Sequence, residues 1–187
     1  MYPISRRHQR LALRELTADD VEAVLAIYGS STATEHLSFE PRSRDEVARL
    51  LCHTITAATI TPRSEFSLAV TEQTTSRLIG FARLALDPHQ QQAATIGFAL
   101  RPDTWGVGYG LETVQLLLGL GFDELELHRI WGARSPENAA SARTMIAAGM
   151  REEYTIREHV KKAGRWRDSV VHTILDREWK VQQSPEA

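Results

Sequence analysis

Apolar and polar residues follow two different periods along this chain, and their alternation predicts the order of its elements. Residues 11–16, LALREL, alternate apolar and polar positions as a short strand does. Two helix-like segments follow, ADDVEAVLAIYG after Thr17 and RDEVARLLCHTI after Ser43. Each begins with a hydroxyl residue suited to an N-cap and carries acids in its first turn. The chain is therefore predicted to begin with a strand and two helices.

Three successive strands are predicted for the middle of the chain. EFSLAVTE at 65–72 and RLIGFARLAL at 77–86 are separated by the polar turn QTTS, an arrangement typical of a β-hairpin. ATIGFALRP at 94–102 follows the polar stretch HQQQ, and Pro102 with Asp103 ends this third strand. The pattern predicts an antiparallel meander.

Helical and strand periods alternate again in the second half. From Leu111 onward apolar residues recur at Val114, Leu117, Leu118, Phe122 and Leu125, on one face of a helix. HRIWGARS at 128–135 predicts a strand, and PENAASARTMIAAG at 136–149 a helix closed by Gly149. REEYTIREHV and WRDSVVHTILDREW predict two strands joined by the turn KKAG. The whole order is β-α-α-β-β-β-α-β-α-β-β, a mixed α/β fold with a β-α-β crossover at its centre.

Length and charge limit the kind of protein. The 187 residues suit one domain, 1–187, with a core from about 11 to 179. A net charge of −2 gives no overall attraction for nucleic acid or an anionic membrane. No apolar run reaches the ~18 residues that span a bilayer, and no apolar segment follows the basic N-terminus. We therefore expect a cytoplasmic protein that binds neither nucleic acid nor membrane, with Arg6, Arg7 and Arg10 in a solvated tail rather than in an RNA-binding arm.

Metal and thiol chemistry find little support in the sequence. Cys52 is the only cysteine, which excludes an internal disulfide and a multi-cysteine zinc site. We expect this cysteine to pack in the core as a small apolar residue. The seven histidines form no H-x-x-x-H pair, so no metal is predicted.

The stretch WGVGYG, residues 105–110, places three glycines at alternate positions directly before a predicted helix. A helix N-terminus offers unpaired N–H groups and partial positive charge, and glycines let a phosphate approach the backbone. The structural alternative is a tight turn that needs positive φ. Neither the dinucleotide pattern G-x-G-x-x-G nor a Gly-Lys-Ser/Thr loop fits these residues.

The stretch LRPDTWGVGYGLETV resembles the acetyl-coenzyme A loop of the GNAT N-acetyltransferases. That loop has the pattern Q/R-x-x-G-x-G/A. Trp105 stands at its first position, and Gly108 and Gly110 stand at its glycines. The segments YGLE, PENAAS, REHV, GRWRD and a closing REW are similar to the RimJ/RimL branch, which acetylates protein N-terminal amines. The resemblance runs from about Leu11 to Trp179.

This resemblance implies a GNAT fold and direct transfer of acetyl from acetyl-CoA to a primary amine. The acceptor would be a ribosomal or other protein or peptide N-terminus, and the protein a monomer or homodimer. A small amine such as a polyamine, aminoglycoside or amino acid is an alternative acceptor. A catalytically weak acyl-CoA-binding sensor is the alternative from another class, because an intact loop would suit it equally.

The resemblance also implies roles for particular residues. Strand residues Phe98–Leu100 would pair with the pantetheine amides, and N–H groups from Val107 to Leu111 would hold the pyrophosphate. The residues expected to bind the cofactor are Phe98, Ala99, Leu100, Trp105, Gly106, Val107, Gly108, Tyr109, Gly110, Leu111, Asn138 and Ser141. Asn138 is equally suited to a plain N-cap. Ser141 could protonate the leaving thiolate, or it is a solvated helix residue.

The general base is not evident. Many relatives carry glutamate two residues before the strand glycine, where this chain has Thr95. His36 and Glu40 are candidates because the family's loop at this point borders the acceptor site, and Glu35 is another in the same loop. Glu112 is a further candidate, although an acid in a first helical turn also suits the helix dipole.

A basic hairpin lies near the C-terminus, with Lys161, Lys162, Arg165 and Arg167 in HVKKAGRWRD. It could attract an acidic peptide or a nucleotide. The alternative, which we favour, is a charged sheet edge that prevents aggregation.

Overall fold

Eight strands join in one mixed sheet in the computed structural model, which describes residues 2–183. They are β1 (Ser5–His8), β2 (Leu11–Glu15), β3 (Glu65–Glu72), β4 (Leu78–Leu86), β5 (Ala93–Leu100), β6 (Arg129–Arg134), β7 (Arg151–Lys162) and β8 (Arg165–Leu175). Their order across the sheet is β1-β2-β3-β4-β5-β6-β8-β7. Among these described strands, only β5 and β6 pair in parallel, through the crossover between them. The predicted mixed α/β fold, meander and β-α-β crossover are confirmed.

Between residues 2 and 183, six helices flank the sheet. They are α1 (Val21–Tyr28), α2 (Ser31–Thr34), α3 (Arg44–Ala58), α4 (Tyr109–Gly119), α5 (Ala139–Ala147) and α6 (Asp176–Gln183). A wider helical turn, Leu120–Glu124, continues α4. No helix within residues 2–183 is long and apolar enough to cross a bilayer.

The apolar core is divided between the two faces of the sheet. Leu68 and Val70 of β3 pack in one cluster with residues of α4, α5 and α6. Ala69, between them, packs in a second cluster with α1 and α3. Because successive strand residues point to opposite faces, α1 and α3 cover one face of the sheet and α4, α5 and α6 cover the other.

The N-terminal arginines do not form a solvated tail. Residues 5–8 pair with β2 as a short edge strand, and Arg6 donates to Asp123 and Glu124 at 2.6 and 2.7 Å. The prediction was wrong because a short polar edge strand lacks the apolar alternation by which strands are detected.

Two further expectations were wrong. The last strand ends at Leu175, and Asp176 begins α6. The acids of DREW favour a helix start, and the Glu178 carboxylate accepts from the Leu175 N–H at 3.0 Å.

Cys52, which was expected in the core, is exposed on α3, because Val47, Leu51 and Thr54 supply that helix's buried face.

Candidate active site

Strands β5 and β6 separate in the middle of the sheet. They pair only from Ala93 with Arg129 to Ile96 with Gly132, whereas β5 continues to Leu100 and stays paired with β4. The Arg101 N–H donates to Ile79 on the β4 side. Successive N–H groups along a strand point toward opposite neighbouring strands. Because the Arg101 N–H points toward β4, those of Phe98 and Leu100 point the other way, into the gap. The two strands therefore splay here, and the gap leaves a strand edge that an extended ligand could complete.

The glycine loop turns from β5 into α4. Gly106 and Gly108 have φ of 81° and 89°, values that L side chains rarely adopt. A Cβ on Gly110 would lie 3.3 Å from Oγ1 of Thr144 on α5. The turn and the packing of α4 on α5 thus account for all three glycines.

The N-terminus of α4 keeps its N–H groups available. Gly108 is the N-cap, and the Glu112 N–H donates to the Gly108 carbonyl at 3.3 Å. This is the first hydrogen bond within the helix. The N–H groups of Tyr109, Gly110 and Leu111 come before it and have no acceptor within the helix. Val107 is 53% exposed beside them. The loop is therefore open and rich in donors, as a pyrophosphate site requires.

Arg10 and Glu112 support this loop from behind. The Arg10 side chain donates to Glu112 at 2.5 Å through Nε and to the Val107 carbonyl at 3.0 Å through Nη2. The Arg10 backbone N–H donates to the other Glu112 oxygen at 3.1 Å. Because Glu112 is only 4% exposed and both its oxygens accept from Arg10, its geometry favours the structural role over that of a base.

Trp105 and Tyr109 make structural contacts in the same loop. The Trp105 indole Nε1 donates to the Leu100 carbonyl at 3.0 Å, although the side chain is 49% exposed. The Tyr109 hydroxyl donates to Glu72 at 3.1 Å, and the Arg10 guanidinium lies 4.6 Å from the Tyr109 ring centroid. These contacts fix where the loop sits against the strands.

Asn138 and Ser141 stand at the start of α5, beside the gap. Oδ1 of Asn138 accepts from the Ser141 N–H at 2.9 Å, so the N-cap interpretation is confirmed. Both residues line the cleft described below. The Ser141 hydroxyl has no hydrogen-bond partner within residues 2–183, which leaves it free to face a ligand.

A cleft of about 390 Å³ opens between the separated strands, the loop before α3 and the β7–β8 hairpin. It brings together the predicted residues His36, Phe98, Ala99, Asn138 and Ser141. Glu40 lies elsewhere, in a separate pocket beside α3, and is exposed. Thr95 is part of the lining, and no Asp or Glu of the described residues is.

The basic hairpin points partly inward. Lys162 Nζ donates to the carbonyls of Thr34 and Glu35 at 2.5 and 2.7 Å, and burial lowers the pKa of this amine. Arg167 Nη1 donates to the His36 carbonyl at 3.2 Å. The interpretation as a purely protective edge was wrong for these two residues, since they hold the loop that borders the cleft. Lys161 is exposed on the edge strand, as expected.

Sequence reasoning missed a second cluster under the cleft. Arg134 donates to the carbonyls of Ser135 and Pro136 at 3.1 and 3.0 Å, and its Nε donates to His172 Nε2 at 3.0 Å. His172 is fully buried, and burial lowers its pKa, with the Arg134 charge acting in the same direction. A histidine within the apolar run VVHTIL was the available signal. Through its bonds to the Ser135 and Pro136 carbonyls, Arg134 orients the turn that leads to Asn138.

Comparisons with known proteins fit this geometry. Residues 10–151 match the family model described as an acetyltransferase (GNAT) domain. An uncharacterized N-acetyltransferase of Bacillus licheniformis, p20, is 27% identical over 172 residues, or 91% of this chain and 96% of that protein.

Solved structures share the fold across nearly the whole chain. Mycobacterium smegmatis RimJ, in complex with CoA-disulfide, matches with a TM-score of 0.83 and 18% identity, over 95% of this chain and 90% of RimJ. Spermidine N-acetyltransferase from Vibrio cholerae, with CoA and spermine, matches with a TM-score of 0.79 and 22% identity, over 92% of this chain and 99% of that protein.

The fold and the family match together define an acyltransferase. The chain belongs to the GNAT family of acetyltransferases, and it is an N-acetyltransferase. Enzymes of this family use acetyl-CoA and an amine acceptor.

Proposed function

We propose that this enzyme transfers the acetyl group of acetyl-CoA directly to the α-amine of a protein or peptide N-terminus. One observation carries the choice of acceptor: no carboxylate of the described residues lines the cleft. A site without a strong base suits an amine that is partly neutral at pH 7. With an α-amine pKa of ~8 about a tenth is neutral, against under ~0.1% for a lysine at ~10.4.

The cofactor side of the proposal rests on backbone groups. Acetyl-CoA would take the N–H groups of Phe98 and Leu100 along its pantetheine arm. Trp105, Gly106, Val107, Gly108, Tyr109, Gly110 and Leu111 would form the pyrophosphate loop. Ala99 and Asn138 would flank the arm. A strand N–H near Leu100 would polarise the thioester carbonyl, since preorganised donors stabilise developing oxyanions.

In the transfer the amine nitrogen bonds to the carbonyl carbon as the C–S bond breaks. The free Ser141 hydroxyl would supply a proton to the departing thiolate and take one back from solvent, while the amine would lose a proton to solvent or to a base. His36 lines the cleft and remains the candidate base. Glu40, in its separate pocket, would need water to reach the amine.

The RimJ/RimL-like segments support the peptide acceptor, and the polyamine alternative draws on the likeness to the spermidine enzyme. A polyamine is a multiple cation, and the absence of lining carboxylates among the described residues disfavours it. A cytoplasmic location, a monomeric or homodimeric state and the absence of nucleic-acid or membrane binding remain predictions from the sequence.

Paired peptides test the acceptor. One has a free N-terminus and blocked lysines, and the other has a blocked N-terminus and free lysines. We expect faster thiol release with the first from pH 6.5 to 9. Faster acetylation of the lysine peptide would contradict the proposal. Acetyl-CoA binding by calorimetry without turnover of peptides or small amines would instead indicate a sensor.

A further inference from the structure

The cleft is lined by cations that differ in how they are neutralised. Arg83, Arg134 and Arg167 all lie along it. Arg83 pairs with Glu65 at 2.8 Å and Arg134 with Glu152 at 3.2 Å. Arg167 has no carboxylate within 4.0 Å among residues 2–183, and its one bonded partner is the neutral His36 carbonyl. The charge of Arg167 is therefore uncompensated.

Arg167 also keeps unused donors. A guanidinium has five N–H groups, of which Nη1 makes the bond to His36. The Arg167 Nε is buried and finds no acceptor in the described part of the chain. Because buried donors without acceptors are costly, this arrangement is expected where a ligand completes the hydrogen bonds.

Among the described residues, no Asp or Glu lines the cleft beside Arg167. Lys162, on the neighbouring strand, is a further cation, and the charges of Glu35 and Glu40 act on Lys162. Both acids are exposed. The interior wall of the cleft on this side thus attracts an anion and repels a cation.

We propose that Arg167 binds a carboxylate carried by the acceptor itself, so that the enzyme prefers N-termini followed closely by an acidic residue. This rests on the proposed function, because it names the acceptor class of the same site. A guanidinium binds a carboxylate through two parallel N–H···O bonds. Arg167 would then fix the acceptor at one end of the cleft while its amine reaches Ser141 and the β5 edge at the other.

Peptides that differ only at their second and third residues test this inference. With amidated C-termini, an acidic peptide carries Glu at both positions, a neutral one Gln and a basic one Lys. We expect kcat/KM at least about tenfold higher for the acidic than for the neutral peptide, in line with one charged hydrogen-bonded contact, and the basic peptide to be the poorest. Arg167→Glu should reverse this order, and Arg167→Lys should keep it. Arg165→Glu is the matched control, since Arg165 is exposed and lies outside the cleft lining. It should leave the wild-type order unchanged.

The outcomes separate this inference from the proposed function. Equal rates on the three peptides would overturn the role of Arg167 and leave N-terminal acetylation standing. If no peptide is acetylated, the proposed function fails. Calorimetric affinities of the same peptides in the presence of CoA then test Arg167 alone, with equal affinities overturning it. Alanine acetylated faster than alaninamide, in an Arg167-dependent way, would support the carboxylate site and assign it to a free amino acid.

Discussion

The two sides of the cleft present different chemical groups, and we call them the backbone side and the side-chain side. The side formed by β5, the loop before α4 and the start of α5 presents mainly backbone N–H groups, shaped by glycines and an asparagine cap. The opposite side presents side chains, from the loop at 36–39 and the β7–β8 hairpin. The backbone side suits a ligand that does not vary, such as a cofactor. The side-chain side can change its charge by single substitutions, which suits an acceptor that varies.

This difference decides what a sequence reveals. Backbone sites restrict residue type locally, because few residues adopt positive φ or cap a helix. Side-chain sites depend on residues far apart, such as Arg167 and His36, which lie 131 positions apart. The backbone side was therefore visible in one short stretch, and the side-chain side appeared only in three dimensions.

The largest effect is expected from a charge on the backbone side. Val107→Glu places a carboxylate on an exposed position of the loop, where it would repel the pyrophosphate. We expect acetyl-CoA affinity to fall at least about 100-fold, or ~2.7 kcal/mol. Gly108→Glu would be a poorer test, because φ at that position strains any side chain.

Val107→Gln is the matched control, since it has the same size without the charge. Calorimetry on both variants, with thermal unfolding to verify the fold, measures the effect. Similar affinity for the two would remove the loop from the cofactor site.

Arg10→Ala tests whether the backbone side needs support from behind. The change removes the bond to the Val107 carbonyl and the guanidinium that pairs with buried Glu112, which keeps only the bond from the residue-10 backbone N–H. Because Arg10 is itself half-exposed, we expect a moderate cost of about 1–2 kcal/mol in unfolding free energy and an affinity for acetyl-CoA reduced by about tenfold.

Chemical denaturation and calorimetry measure these two quantities, with Arg7→Ala, on the adjoining strand β1, as the control. Unchanged binding in Arg10→Ala would show that the loop holds its shape alone.

Local patterns predicted most of the fold, and they failed where tertiary contacts decide. The Ser43 cap and the Gly149 helix end are set by nearby residues, and both were predicted. The strand at 5–8 depends on pairing with β2, and α6 depends on Trp179, which is buried and donates to Asp123 at 2.8 Å. No sequence period encodes such contacts.

The same limit applies to the site. The glycines predicted the loop, but Gly110 serves packing against Thr144 as well as access. The inward direction of Arg167 and the bonds of Arg134 could not be predicted, because they depend on which strand lies beside which.

A smaller effect is expected from His36 on the side-chain side. If an α-amine needs no strong base, His36→Gln should change kcat/KM by less than about threefold, since general-base catalysis typically contributes 10²–10⁴-fold. The pH–rate profile of the variant should still rise toward pH 8, following the acceptor amine. Thiol-release rates on a peptide from pH 6.5 to 9 provide the measurement. A loss of 100-fold or more would make His36 the base.

The smallest effect at neutral pH is expected from His172, which links the two sides through Arg134. Burial and the Arg134 charge lower its pKa, so below its ordinary value of ~6.5 the unfolded chain binds a proton that the folded chain does not. The unfolding free energy should therefore fall as the pH drops below ~6.5, by up to ~1.4 kcal/mol per pH unit. Above that pH the contribution is constant. Protonation would also remove the acceptor of Arg134 Nε, and with it the support of the turn before Asn138.

Denaturant unfolding of wild type and His172→Gln from pH 5 to 7.5 isolates the contribution of His172 to the unfolding free energy, because the carboxylates titrate alike in both. Only the difference in slope matters, since the substitution shifts stability at every pH. Parallel curves would show that His172 keeps an ordinary pKa, and a stable His172→Gln with reduced acetyl-CoA affinity would place its role in orienting Arg134.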